Sequence, residues 1–308
     1  MSATPPLRLN PEVADALDQD APVVALETTL VSHGFPLGRG AEVALEAESV
    51  IRAGGAIPAT VGLIDGEIRV GLDPTELEMF SARPETRKVG ARDLASCLVS
   101  GEPGATTVGA TLAVCELVGL RVFATGGLGG IHRGYAERPD ISSDLMQLAH
   151  TRTLVVSSGV KSLLDVAATH EALESLAVPV LGWRTGSLPL FYSRDGGPPV
   201  ERIDTVEQVA SLSAAHWSLR GQALLLTRPP EPEIPTGEMT RLFDAALAEA
   251  KREGVMGGAV TPFVLAYAHE ASDGLTLDVN HRLIVDNAAL AAATSVALAN
   301  TKVRKGPA

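Results

Sequence analysis

Four polar clusters in this 308-residue chain carry side chains able to do chemistry. Glu27 closes the apolar run Val23–Leu26, in the context ALETTLVSHGFP. A carboxylate there can act as a general acid or base, or serve only as an N-cap partner or surface acid. The segment TGGLGGIHRG, from Thr125 to Gly134, follows the run Arg121–Ala124 and holds Gly126, Gly127, Gly129 and Gly130. Free backbone amides in such a segment can hold phosphate, although Gly-rich turns are often only turns and the spacing is not G-x-G-x-x-G. His132 and Arg133 add two groups that pair with an anion, and His132 is equally open to a structural role.

The third cluster, PDISSDL, spans Pro139 to Leu145. Asp140, Ser142 or Ser143 can cap the helix that follows. The alternative is that hydroxyls and amides bind phosphate while Asp140 holds a hard cation, Mn²⁺ or Mg²⁺, with water completing its shell. The fourth cluster is SSGVKSLLD, from Ser157 to Asp165. A strand over Thr153–Val156 runs into a small-residue turn and an expected amphipathic helix, with Lys161 in its first turn. The helix field and partial burial would both lower the pKa of that amine, leaving it neutral for Schiff-base chemistry. The alternative is a lysine that snorkels to solvent. Lys88, in ETRKVGARDL, reads either as part of a solvated basic face with Arg87 and Arg92 or as a phosphate clamp.

The elements that must position these groups alternate along the chain. Hydrophobic patterning predicts strands over Val23–Glu27, Pro58–Ile64, Arg121–Thr125, Thr153–Ser157, Val178–Trp183 and Ala223–Thr227. It predicts helices over Ala41–Ala53, Ala91–Val99, Thr106–Val118, Ser143–His150, Ser162–Ala168 and His170–Leu176. Further helices are expected over Val206–Leu219, Thr240–Glu253, Pro262–Ala271 and Asn287–Asn300. Asp65–Gly66 between two short apolar runs predicts a hairpin. Gly186–Val200 and Arg228–Thr236 read as loops. The alternation implies an α/β fold with a largely parallel central sheet covered by helices, and polar groups at the strand ends are where ligands bind in such sheets. Residues 1–20 are expected to be a flexible segment, and residues 21–304 one domain.

Composition narrows the function. The net charge of −12 disfavours non-specific binding to nucleic acid or anionic lipid. Two cysteines, Cys97 and Cys115, both in apolar helical patterns, make neither a disulfide scaffold nor a thiolate zinc site. The apolar tail from Asn287 reads as a buried helix because Thr294 and Ser295 interrupt it. No secretory leader is legible, so the cytoplasm is the expected location.

Together these segments resemble the pseudouridine-5′-phosphate glycosidases, the indigoidine synthase A-like family. The resemblance rests on ALETTLVSHGFP, GGAIPATVGLIDGEIRVGL, GATTVGATLAVCELVGLRVFATGGLGGIHRG, DISSDLMQLAHT, SSGVKSLLDVAATHEALESLAVPVLGW, AVTPFVLAY and the NAALAA tail, in the family's order. It implies a three-layer α/β/α sandwich, a homotrimer and reversible cleavage of pseudouridine 5′-phosphate to uracil and ribose 5-phosphate through a lysine adduct. By the same resemblance Glu27 is the proton donor and Lys161 the nucleophile. Asp140 is the ligand of one Mn²⁺ per subunit, for which another divalent ion could stand in. Lys88, Val108, Ser142, Ser143 and Asp144 contact substrate, His132 helps orient it, and Asn280 matches a base-contacting asparagine. Thr28, Gly186–Ser187, His281–Arg282 and Asp286 depart from the family pattern and bear on substrate preference. Two rival readings are another Schiff-base sugar-phosphate lyase and a non-catalytic nucleotide-binding module.

Overall fold

The strand Val23–Glu27 is buried at all five positions, as a strand covered on both faces must be. A computed structural model describes residues 5–83, 85–137, 139–255 and 260–304. Its strands in chain order are β1 (Leu7–Leu9), β2 (Val23–Glu27), β3 (Ile57–Ile64), β4 (Glu67–Val70), β5 (Arg87–Val89) and β6 (Gly104–Thr106), then β7 (Val122–Ala124), β8 (Leu154–Ser157), β9 (Val180–Trp183), β10 (Glu201–Ile203) and β11 (Leu224–Thr227). They form one sheet in the order β1-β4-β3-β2-β7-β8-β11-β9-β10, with β6 also paired to β3 and β5 to β6. Among these strands, in the described residues, only the pairings of β3 with β4 and with β6 are antiparallel. The β3–β4 turn is the predicted hairpin: Asp65 and Gly66 both take positive φ, 53° and 75°, as a two-residue turn of this kind requires.

Helices cover both faces. They are α1 (Pro11–Asp18), α2 (Thr29–His33), α3 (Arg39–Ala53), α4 (Pro74–Ser81), α5 (Leu94–Ser100) and α6 (Val108–Val118), followed by α7 (Asp144–Leu148), α8 (Val166–Ser175), α9 (Val206–Ser218), α10 (Thr236–Arg252), α11 (Val260–Ala271) and α12 (Leu275–Arg304). Alternation along the strands builds two cores. Val24, Leu26, Leu154, Val156, Leu224 and Leu226 pack with α3, α9, α10 and α12. Val23, Ala25, Val155 and Leu225 point the other way, toward Val13, Leu112, Leu148 and Leu173. The three-layer sandwich expected from the sequence is the observed architecture.

Several expectations need correction. Residues 7–18, expected to be loose, form β1 and α1, because β1 pairs in parallel with β4 and Asn10 caps α1 through the Glu12 amide. Thr106 belongs to β6, and α6 begins at Val108 after Thr107, whose hydroxyl accepts from the Ala110 amide. No helix runs over Ser162–Asp165. That stretch is held by bridges of Val160 to Leu128 and Leu164 to His132, and α8 starts only at Val166, capped by Asp165. The expected helices on either side of Thr169 are therefore one. The tail helix starts at Leu275, twelve residues before the expected Asn287, because Asp278, Asn280, His281 and Arg282 interrupt its apolar pattern. Leu275–Thr301 has the length and hydropathy of a membrane span. Ala288, Ala291 and Ala292 are nonetheless fully buried against the sheet, as in a core helix.

Candidate active site

The strand order sets the place of the site. From β2 the chain moves to β3 and β4 on one side, and later returns through β7 and β8 on the other. The carboxyl ends of β2 and β7 therefore flank a topological switch point, where the connections part and leave a crevice. Glu27 ends β2, and Thr125 follows β7. Thr125 Oγ1 donates to Glu27 Oε1 over 2.5 Å. Burial pushes the Glu27 carboxyl above its usual pKa range. The Lys161 charge and then the Thr125 hydroxyl offset part of that rise. A carboxyl so placed can hold a proton nearer neutral pH than an exposed one, as a general acid must.

Lys161 reaches the crevice from the turn after β8. Its amide donates to Leu128 O (3.2 Å), and Leu164 N donates back to the Lys161 carbonyl (2.9 Å). The Gly-rich segment thus carries the lysine loop on its backbone. Arg133 fastens it further, donating to the carbonyls of Ser162 (3.0 Å) and Leu164 (3.4 Å). Lys161 is half-buried. It lies outside any helix, so the helix field expected to act on it is not available there.

Lys88 comes from β5. Its side chain is exposed overall, yet desolvation of the ammonium and then the Lys161 charge hold its pKa below the usual lysine range, against the pull of Glu27 and Asp144. Lys88, Lys161, Glu27 and Asp144 therefore share one electrostatic neighbourhood. Ser143 is brought to the same side: a Cβ on Gly90, two residues after Lys88, would stand 3.7 Å from Ser143 Oγ.

Asp144 is buried, and both its oxygens are engaged. Oδ1 accepts the Gly109 amide (2.8 Å) and Oδ2 the Gly129 amide (2.9 Å), while the Asp144 amide donates to Ser142 Oγ (3.2 Å). Gly129 has no room for a side chain, since a Cβ there would lie 2.5 Å from Ser142 Oγ and 2.7 Å from Asp144 Oδ2. Val108 opens α6 beside Gly109 with its side chain in the core, so what it can offer a ligand is backbone. His132 pairs through its backbone with Leu164, which places it beside the lysine loop.

Asn280 and Asp140 are held by contacts of their own. Asn280 is buried and donates to Gly34 O (3.3 Å), next to the edge-on ring pair of Phe35 and His281. It lies seven residues before Asn287 on α12, roughly 10 Å along the helix. Asp140 is exposed, with its carbonyl accepting the His132 amide (3.0 Å). Among the described residues no group of three or more His, Cys, Asp or Glu side chains converges. One exposed carboxylate fits only a cation that keeps most of its water, not a cage built by the protein.

Sequence reasoning missed Thr125 and Asn287 as individual residues. Thr125 was legible in principle, as the first polar residue after β7. Asn287 was visible as an amide inside an Ala-rich run.

A parallel α/β sheet with a buried acid and a half-buried amine at its switch point defines a class of enzyme sites rather than a structural or nucleic-acid-binding module. The family model described as "Indigoidine synthase A like protein" matches residues 12–297, and the chain belongs to that family. It is 43% identical over 302 residues to the pseudouridine-5′-phosphate glycosidase of Paracoccus denitrificans, covering 96% of this chain and 99% of that one. It is 48% identical over 302 residues to the protein of the same name from Salinispora tropica, covering 95% and 92%. Among solved structures, the prealnumycin C-glycosynthase AlnA in complex with ribulose 5-phosphate superposes with a TM-score of 0.90 at 36% identity, covering 97% and 99%. An indigoidine synthase A-like protein from Thermotoga maritima superposes with 0.87 at 36% identity, covering 97% and 98%.

Proposed function

We propose that this chain is a pseudouridine-5′-phosphate glycosidase that breaks and remakes the carbon–carbon bond between uracil and ribose 5-phosphate, with Lys161 as covalent nucleophile and Glu27 as proton carrier. The observation that carries this reading is a buried carboxyl, Glu27, hydrogen-bonded by Thr125 at the end of β2 and lying within the field of the half-buried Lys161 amine at the same crevice. The near full-length kinship with glycosidases of that name supports it. The neighbour's sugar phosphate fits the same chemistry.

A carbon leaving group cannot depart as easily as the nitrogen of an ordinary nucleoside, and two carboxylates alone give it little help. An amine changes that. The Lys161 nitrogen bonds to C1′ as the C1′–O4′ bond breaks, and the ring oxygen takes a proton and becomes a hydroxyl. Glu27 delivers a proton to the uracil carbon that bears the sugar. The bond between that carbon and C1′ then breaks with its electron pair going to the uracil ring, while the nitrogen lone pair forms the C1′=N bond. Water adds to the imine, releasing ribose 5-phosphate and the free amine. No high-energy bond is consumed, so the steps run in both directions.

Lys88, Ser142 and Ser143 grip the phosphate, with Gly129 and its neighbours letting backbone approach closely. Val108, Asp144, His132 and Asn280 complete the substrate contacts, Asp144 chiefly by shaping the Gly129 turn. A water-rich Mn²⁺ on Asp140 would supply positive charge beside sugar or phosphate oxygens. A homotrimer in the cytoplasm is the proposed setting, in keeping with two buried free thiols.

Borohydride treatment in the presence of substrate should trap ribose 5-phosphate on Lys161, located by mass spectrometry. Lys161→Ala should fold and lose turnover. An adduct on another lysine, or turnover retained in Lys161→Ala, would overturn the assignment. Loss of uracil release with adduct formation intact would favour a different Schiff-base lyase.

A further inference from the structure

Asn287 lies in the middle of α12 with no exposed surface, and its neighbours Ala288, Ala291 and Ala292 are core residues. A primary amide is costly in such a place unless its groups are bonded. Packing this helix on the sheet would need only an apolar side chain. The amide instead bonds to two turns at once. Nδ2 donates to the Thr125 carbonyl (2.9 Å) and to Ser158 Oγ (3.1 Å), and Ser158 Oγ stands 3.4 Å from Oδ1.

Those two turns carry the two ends of the reaction. Thr125 follows β7, and its hydroxyl donates to Glu27 Oε1. Ser158 follows β8, three residues before Lys161, and its backbone also receives the Phe191 amide (3.0 Å). Strands β7 and β8 pair in parallel up to Ala124 and Val156, and one further bond on each side, Thr125 N to Val156 O and Ser158 N to Gly126 O, extends the ladder. The two chains stay bridged beyond that point, through Leu128 N to Gly159 O and Lys161 N to Leu128 O, and Asn287 adds a side-chain tie from α12 to both turns.

We propose that Asn287 is a positioning residue for this site: by tying the Thr125 carbonyl to the Ser158 hydroxyl, it aims the Thr125 hydroxyl at Glu27 and holds the Glu27 carboxyl and the Lys161 turn in fixed relation. The proposal rests on the roles given above to Glu27 and Lys161. Asn287 itself touches neither reacting group, so its loss changes the aim of both without removing either.

The test is a set of pH–rate profiles on the full chain, with folding followed by circular dichroism. Glu27→Gln serves as the reference and should erase one limb of the profile. If that limb persists, the role of Glu27 is wrong, whatever Asn287 does. Thr125→Val should move the limb to higher pH, because a donor to the carboxylate has been lost, and Thr125→Ser should restore it. Asn287→Ala should move the same limb in the same direction and lower kcat roughly ten- to a hundredfold, with KM little changed. The double variant Thr125→Val/Asn287→Ala should be no worse than the weaker single variant, because both act through one contact. A folded Asn287→Ala with the limb unmoved overturns the proposal, and so do additive losses. If Asn287→Ala fails to fold, Asn287→Asp keeps the volume without the donor and should give the same shift. Failure of both to fold also overturns the proposal, since Asn287 would then be required by the core itself.

Discussion

Asp144 and Gly129 are joined by a hydrogen bond of 2.9 Å from the Gly129 amide to Asp144 Oδ2. The partner oxygen holds Gly109 at the start of α6. One buried carboxylate therefore ties the Gly-rich turn to a helix from another part of the chain. Asp144→Ala leaves one buried and one part-buried amide without an acceptor and should destabilise the fold by about 3 kcal/mol. Urea unfolding measures this, and Asp144→Asn, which keeps one acceptor, should cost less. Equal stability of all three proteins would show that the amides find other partners.

Glu27 links stability to pH. Its folded pKa lies above the ordinary value, chiefly through burial. The stability it contributes is therefore fully present below the unfolded carboxylate range and is lost as pH rises through the folded value. Glu27→Gln removes that loss. Its Tm should exceed the parent's by a few degrees at neutral pH, and the gap should close as pH falls into the ordinary carboxylate range. Turnover should drop by roughly 10²- to 10⁴-fold. A Tm gap equal at every pH would contradict the linkage.

Arg133 acts on Lys161 through the backbone. Its guanidinium bonds the carbonyls of Ser162 and Leu164, on either side of the turn that follows the lysine. Arg133→Met keeps the aliphatic stem and should slow adduct trapping and kcat by roughly tenfold, with little change in melting temperature. The Arg133–Asp244 pair is open to solvent on both partners, so Asp244→Asn should change stability by less than about 0.5 kcal/mol. Single-turnover trapping with borohydride separates this effect from substrate binding.

Asp140 tests the metal. It is exposed, so Asp140→Ala should leave the melting temperature unchanged. It should weaken Mn²⁺ binding by roughly tenfold or more, read by paramagnetic resonance of the free ion. Chelation of the parent should raise KM, with Mn²⁺ restoring it. Unaltered Mn²⁺ affinity in Asp140→Ala would place the ion elsewhere.

The strands that carry the site were legible because a strand buried on both faces reads as an unbroken apolar run. Val23–Glu27 was predicted to the residue. Short pairing strands such as β1, β5 and β6 were not, since three residues carry no periodicity and form only because a neighbour offers its edge. The helix expected after Lys161 failed for a related reason. The apolar residues Leu163 and Leu164 have helical spacing with Val160, but they serve a small core with Leu188 in an extended loop.

By itself the sequence determined the residue types, their order and the segments that mark the family: an acid after one strand, glycines after a second, a lysine after a third. These are local facts, set by composition and by periodicity along the chain. The tertiary structure decided which of them meet. Only the strand order β3-β2-β7-β8 puts Glu27 beside Thr125, although 98 residues separate them. Only the packing of α12 across the sheet brings Asn287 to both turns. Pairing of strands distant in sequence is chosen by the burial of whole faces, so the partners of a polar residue at a strand end are a property of the assembled sheet.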